Sequence, residues 1–341
     1  AKKADTVLLY IGLDEISEAE GLDRSHMRLA QSQVELIEAV SAANPNVVAV
    51  MSAGSAVEMP WLPKVKALVH GYLCGQAGAS SVLKVVTGEV NPSGKLAESY
   101  PVRYEDVSSA PYFPSKERNA EYREGLFVGY RYFETAKVPV LFPFGFGLSY
   151  TTFEYSDLSV SEKQASFTLK NTGGMDGAEV AQLYVSKPDG GVFRPAKELK
   201  GFAKVFLKAG ESKKVTISLD DKAFRYFNVD TNKFEVEGGS WTVMIGASCA
   251  DIKLSGTVEV QGTGAKSPYD KQKFAKYFTG DIKSVSDEEF EALLGRPIPD
   301  GHWNGTLEMN DALCQMYYAK SGLARFAYKI LTNLIKDRKS T

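Results

Sequence analysis

The sequence predicts an α/β domain, then an all-β sandwich, then a helical tail. Three observations predict this. Near the start, the unbroken apolar runs "TVLLYIGL" (Thr6–Leu13) and "NVVAVMSAG" (Asn46–Gly54) bracket a helical pattern, the order of a β-α-β unit with parallel strands. From about Ser149 the apolar period falls to two, with "NTGG", "KAGES" and "EGG" as turns. From about Gly262 the pattern is helical again, opening with "SDEEFEALLG".

The bulk properties limit the function classes. A length of 341 residues suits two domains or slightly more. Apolar residues at 44%, charged residues at 24% and a net charge of −2 give no drive towards nucleic acid or an anionic membrane. No apolar run reaches the roughly 18 residues of a spanning helix. Cys74, Cys249 and Cys314 are few, odd in number and far apart, which predicts free thiols and a cytoplasmic setting. His26, His70 and His302 do not cluster, and the sequence points to no metal or cofactor. The opening "AKKADTVLLYIGL" reads as a helix end running into a strand, so the chain is expected to continue a larger protein.

Each element has its own justification. Thr6–Leu13 and Asn46–Gly54 are apolar throughout, as strands covered on both faces would be. A helix is expected from Leu29 to about Ala42, with Leu29, Val34, Ile37 and Val40 facing inward. "VKALVHGYL" (Val65–Leu73) is a third strand candidate, and "AGASSVLKVVTG" (Ala77–Gly88) a helix stopped by glycine. Residues 1–105 form this domain; residues 106–148, rich in tyrosine and proline, should lie packed on a domain surface. Residues 149–261 carry the period-two runs: Phe167 and Leu169; Val215, Ile217 and Leu219; Trp241, Val243 and Ile245; Ile252, Leu254, Val258 and Val260. This is the spacing of a β-sandwich. In residues 262–341, Ser286 and Glu289 fit a capping box. "MNDALCQMYYAKSGLARFAYKILTNLIKDRK" reads as a packed helix or helix pair rather than a membrane-surface helix.

The stretch "DEISEAEGLDR" (residues 14–24) places Asp14, Glu15, Glu18, Glu20 and Asp23 beyond the first strand. Ligands of parallel α/β sheets gather at the carboxyl ends of strands. Crowded carboxylates raise one another's pKa, and a raised pKa suits a proton donor. Arg24 could hold one acid charged while another stays protonated. A solvated loop, with Asp23 or Ser25 capping the next helix, explains the same charge, and residue types alone do not say which acid acts.

A resemblance adds to this. "SEAEGLDR" with "QVELIEAVSAANPNVVAVMSAGSAVEMPW", "GQAGASSVLKVVTGEVNPSGKLAESYP", "YREGLFVGYRYFE" and "PVLFPFGFGLSYTTFEYS" resemble the second catalytic domain of family 3 glycoside hydrolases of the β-glucosidase type. "KNTGGMDGAEVAQLYVS" and "RPAKELKGFAKVFLKAGESKKVTISL" resemble that family's fibronectin type III-like domain. "DEEFEALLGRPIP" resembles the C-terminal extension of clostridia-like bacterial members. The resemblance implies a retaining mechanism with two carboxylates. The acid/base glutamate lies in an E-G-x-D-R stretch, here Glu20, Gly21, Asp23 and Arg24, with Glu18 as runner-up for the acid. Gly21, Asp23 and Arg24 would support the loop. The nucleophilic aspartate sits on a (β/α)8-type barrel, and no Ser-Asp-Trp-like motif occurs in this chain. The implied partner is therefore an N-terminal barrel segment, and the implied substrate a β-glucoside. A homo-oligomer is left open; nucleic acid and membrane are not expected.

Other stretches read as structural. "SAGSA" does not fit the nucleophile elbow G-x-S-x-G. Glu58 and Trp61 are weak candidates for touching a sugar, against a packed helix start. "GQAGASS" lacks the phosphate-loop lysine and suits close helix–sheet packing, and "FPFGFGLSY" suits tight packing between domains. His302 and Trp303 suit an anchored turn. Two rival functions remain: a β-xylosidase or arabinosidase of the same family, and a non-catalytic glycan- or protein-binding module.

Overall fold

The computed structural model describes residues 1–115 and 119–338. They form two compact units, one of residues 1–111 and 123–293, the other of residues 112–115, 119–122 and 294–338.

The first unit opens with a parallel sheet of three strands, β1 (Val7–Gly12), β2 (Val47–Ser52) and β3 (Ala67–His70), with β2 central. Helix α1 (Gln31–Ala43) connects β1 to β2 and buries Ile37 completely. Leu9, Ile11, Ala49, Met51 and Trp61 fill the core with it. Two expectations need correction here. Within this chain β1 is the edge strand of the sheet and is covered on one face: Leu9 and Ile11 are buried, whereas Tyr10 is 63% exposed. Neither Asp23 nor Ser25 caps α1, because the helix starts only at Gln31 and Ala30 takes the N-cap position without a side-chain bond. β3 is also shorter than its apolar run. Tyr72 adopts a φ of 49°, and its carbonyl accepts the Ser52 hydroxyl, so the strand cannot continue.

Helix α2 (Gly78–Val86) follows. Gly78 is needed, since a Cβ there would lie 2.2 Å from Cys74 Cβ. A small antiparallel pair, β4 (Tyr100–Pro101) and β5 (Val140–Phe142), flanks helix α3 (Tyr130–Ala136). The aromatic stretch is packed: Phe127, Tyr130, Tyr132 and Phe133 are buried, and the Tyr130 ring stacks on Phe144 at 4.7 Å.

The sandwich has a three-stranded sheet of β6 (Phe153–Val160), β7 (Gln164–Asn171) and β10 (Ser212–Ser218). It faces a four-stranded sheet of β8 (Gly177–Ser186), β9 (Glu198–Leu207), β13 (Gly239–Gly246) and β14 (Ile252–Val260). Between β10 and β13 along the chain comes a hairpin of β11 (Arg225–Asn228) and β12 (Lys233–Val236). Alternation decides which residues face inward: Phe167, Leu169, Val215, Ile217, Trp241, Val243 and Ile245 are all core. The α/β part is tied to the sandwich by an ion pair that is nearly dry. Lys95 Nζ lies 2.9 Å from Glu179 Oε1, with side-chain exposures of 13% and 8%, and also donates to the Gly147 carbonyl. Beyond the sandwich lie α4 (Ala275–Thr279) and α5 (Asp287–Leu294). Half of the expected capping box forms. The Glu289 amide donates to Ser286 Oγ, but the Glu289 carboxylate accepts the Lys276 amide instead.

In the second unit, a 3-10 turn (Leu313–Tyr317) precedes helix α6 (Gly322–Arg338). Tyr317 meets Tyr328 edge-on at 5.7 Å. The expected packed helix is only partly so: Leu323 is 78% exposed and Phe326 61%. Trp303 Nε1 donates to the Thr306 carbonyl, which anchors the turn around it.

Candidate functional site

The acidic stretch leaves the carboxyl end of β1 as successive turns, with the Glu18 amide bonded to the Asp14 carbonyl and the Leu22 amide to Ala19. Crowding does not raise the pKa of Asp14. The Ser17 hydroxyl and amide, the latter 2.7 Å away, hold it below the usual carboxylate range because both stabilise the charged form.

The two glutamates proposed for acid chemistry sit differently. Glu20 is exposed, and its carboxyl has no partner among the described residues. Glu18 is half-buried and folded back on the sheet, with Oε1 accepting the Gly54 amide at 2.5 Å. Arg24 is half-buried as well. Its Nη1 donates to Ser55 Oγ at 2.6 Å and, more weakly, to the Ala56 carbonyl at 3.4 Å. Burial pulls the Arg24 pKa down, and the charges of Glu18 and Glu58 oppose that. Arg24 and Glu18 thus both grip the segment just after β2. Asp23 is exposed. Gly21 is not required by its own surroundings, since its φ is not positive and an added Cβ would touch nothing within 4 Å.

The weak sugar candidates are engaged elsewhere. Trp61 is 1% exposed and belongs to the core, so it offers no face to a sugar. Glu58 Oε1 accepts the Tyr104 amide at 2.9 Å. Ser52 and Ser55 are spent on Tyr72 and Arg24.

Sequence reasoning missed a polar cluster behind this edge. Tyr100 Oη and His70 Nε2 lie 2.5 Å apart, and Tyr72 and Glu98 stand beside them. Burial lowers the His70 pKa and raises that of Glu98. These residues are up to 30 positions apart and share no motif, so no local signal could have joined them.

Residues 1–150 match the glycosyl hydrolase family 3 C-terminal domain, and residues 179–249 match the fibronectin type III-like domain. Residues 1–150 thus carry the C-terminal domain of glycosyl hydrolase family 3. Thermostable beta-glucosidase B of Acetivibrio thermocellus is 48% identical over 306 residues, covering 86% of this chain and 40% of that protein. An exo-alpha-(1->6)-L-arabinopyranosidase of Bifidobacterium breve is 44% identical, covering 79% of this chain and 36% of that protein. The crystal structure of a Bifidobacterium adolescentis family 3 beta-glucosidase superposes with a TM-score of 0.76 at 41% identity, covering 83% of this chain and 43% of that one. The chain therefore spans about 40% of the length of these relatives. Among the described residues no helix is long and apolar enough to cross a membrane.

Proposed function

We propose that the complete polypeptide is a retaining β-glucosidase acting on terminal non-reducing β-D-glucosyl residues, and that this chain supplies its general acid/base, Glu20. The observation that carries the reading is the exposed carboxyl of Glu20, without a partner among the described residues, at the carboxyl edge of the sheet and between two residues that grip the same segment. The β-glucosidases among the relatives support the same chemistry. An aspartate on the N-terminal barrel attacks the anomeric carbon, and Glu20 protonates the departing oxygen. Glu20 then takes a proton from the water that releases glucose. Three unpaired cysteines fit a cytoplasmic enzyme.

The test is Glu20→Ala in the full-length enzyme. Glucosides with poor leaving groups should slow by about 10²–10⁴-fold, the usual contribution of acid–base catalysis, and activated aryl glucosides far less. Azide should restore turnover on the activated substrates. Equal slowing of both, without azide rescue, refutes the role, and an unchanged enzyme supports a non-catalytic module. The arabinopyranosidase relative favours arabinoside specificity as a second reading. A panel of aryl glucosides, xylosides and arabinosides decides between them.

A further inference from the structure

The Glu18 side chain turns back from the loop onto the end of β2, where its Oε1 meets the Gly54 amide at 2.5 Å. A Cβ at position 54 would stand 2.8 Å from that oxygen and 3.2 Å from Leu73 Cδ1. The φ of Gly54 is not positive, so the demand for glycine there is steric, and its missing side chain is what admits the carboxylate. Arg24 closes the other end of the stretch, through Ser55 Oγ at 2.6 Å and the Ala56 carbonyl. Residues 18 and 24 are thus fastened to residues 54–56, and Glu20 lies between the two fastenings with no partner of its own among the described residues.

We propose that Glu18 is a positioning residue that fixes Glu20 by latching the acid loop onto the Gly54 amide. The proposal rests on the reading of Glu20 as the acid/base. A group that donates a proton and later takes one back must be held to within about 0.5 Å, and displacement by about 1 Å costs on the order of 10²-fold in rate. The latch supplies that hold. It also explains why two glutamates two residues apart have different tasks: the carboxylate bound to the backbone cannot leave it to meet a substrate.

The experiment uses the full-length enzyme. Glu18→Ala should lower kcat on poor-leaving-group glucosides by about 10–100-fold. Azide should not rescue it, because Glu20 still fills the acid site, and both limbs of the pH–rate profile should remain. Glu18→Gln keeps an acceptor for the Gly54 amide and should recover most of the rate. Gly54→Ala pushes the latch open from the other side and should reproduce Glu18→Ala. The two together should be no worse than either alone, as for residues that act as a unit. Hydrogen exchange at residues 50–56 should quicken in Glu18→Ala.

Azide rescue of Glu18→Ala with loss of one pH limb overturns the proposal by making Glu18 the acid itself. If Glu20→Ala behaves as an acid/base variant while Glu18→Ala stays within about twofold of the parent, only the positioning role falls. If Glu20→Ala shows no leaving-group dependence, the underlying reading falls.

Discussion

Replacing Lys95 by Met should cost the first unit about 3–5 kcal/mol, the cost of breaking a buried ion pair from one side. Lys95 and Glu179 are 2.9 Å apart and only 13% and 8% exposed. At an effective dielectric of about 20, two unit charges at that separation attract by about 6 kcal/mol, but most of this offsets the loss of hydration on both sides. The single substitution removes the attraction and leaves the Glu179 carboxylate and the Gly147 carbonyl facing an apolar side chain. Glu179 Oε1 also accepts the Val180 amide at 2.8 Å, so glutamine is the neutral replacement that keeps this bond. Lys95→Met with Glu179→Gln should therefore recover more than half of the loss. The assay is urea unfolding followed by tryptophan fluorescence. Trp61 reports the α/β core and Trp241 the sandwich, both nearly fully buried; each is read in a variant from which the other and Trp303 are removed. A Lys95→Met protein within about 0.5 kcal/mol of the parent, the range of an ordinary surface substitution, would refute the reasoning. A double variant no better than the single would contradict the desolvation argument.

Two further outcomes follow from burial. Burial holds the Glu98 pKa above its ordinary 4.5, with the Tyr72 hydroxyl and the Ala56 amide pulling the other way. A carboxyl raised in the folded state favours folding below about pH 4.5, and this contribution is lost as pH rises through the folded value. Glu98→Gln should therefore raise the melting temperature at pH 7–8 and give no gain near pH 4; a gain confined to acid pH would reverse the sign. Burial first, and then the Glu134 charge, push the Cys249 thiol up to about 12. In the native protein at pH 8 a thiol reagent should modify the exposed Cys74 and Cys314 quickly and Cys249 only on unfolding; rapid modification of all three would contradict the burial.

What could be read from the sequence was what repeats locally. Period-two runs such as Trp241, Val243 and Ile245 announce a sandwich because each strand has one wet and one dry face. The apolar run of β1 misled for the same reason. Leu8 and Tyr10 are apolar yet exposed, at 39% and 63%, and composition cannot tell a strand covered on both faces from an edge strand. The C-terminal helix misled likewise, since its apolar pattern does not say what covers it. Around the acid loop, charge and spacing drew attention to residues 14–24, but they could not separate Glu18 from Glu20. Their different surroundings come from Gly54, 36 residues from Glu18, whose missing Cβ has meaning only in three dimensions. The Lys95–Glu179 pair and the His70–Tyr100 contact were hidden for the same reason.

The most direct measurement is the separation between the Glu20 carboxyl and the nucleophilic barrel aspartate in a crystal structure of the full-length enzyme with a bound glucoside analogue. A retaining pair brings the two carboxyls to about 5–5.5 Å across the anomeric carbon. Finding Glu20 at that distance, within hydrogen-bond reach of the leaving oxygen, is the expected result. Finding it turned to solvent, with Glu18 or another acid in that position, contradicts it.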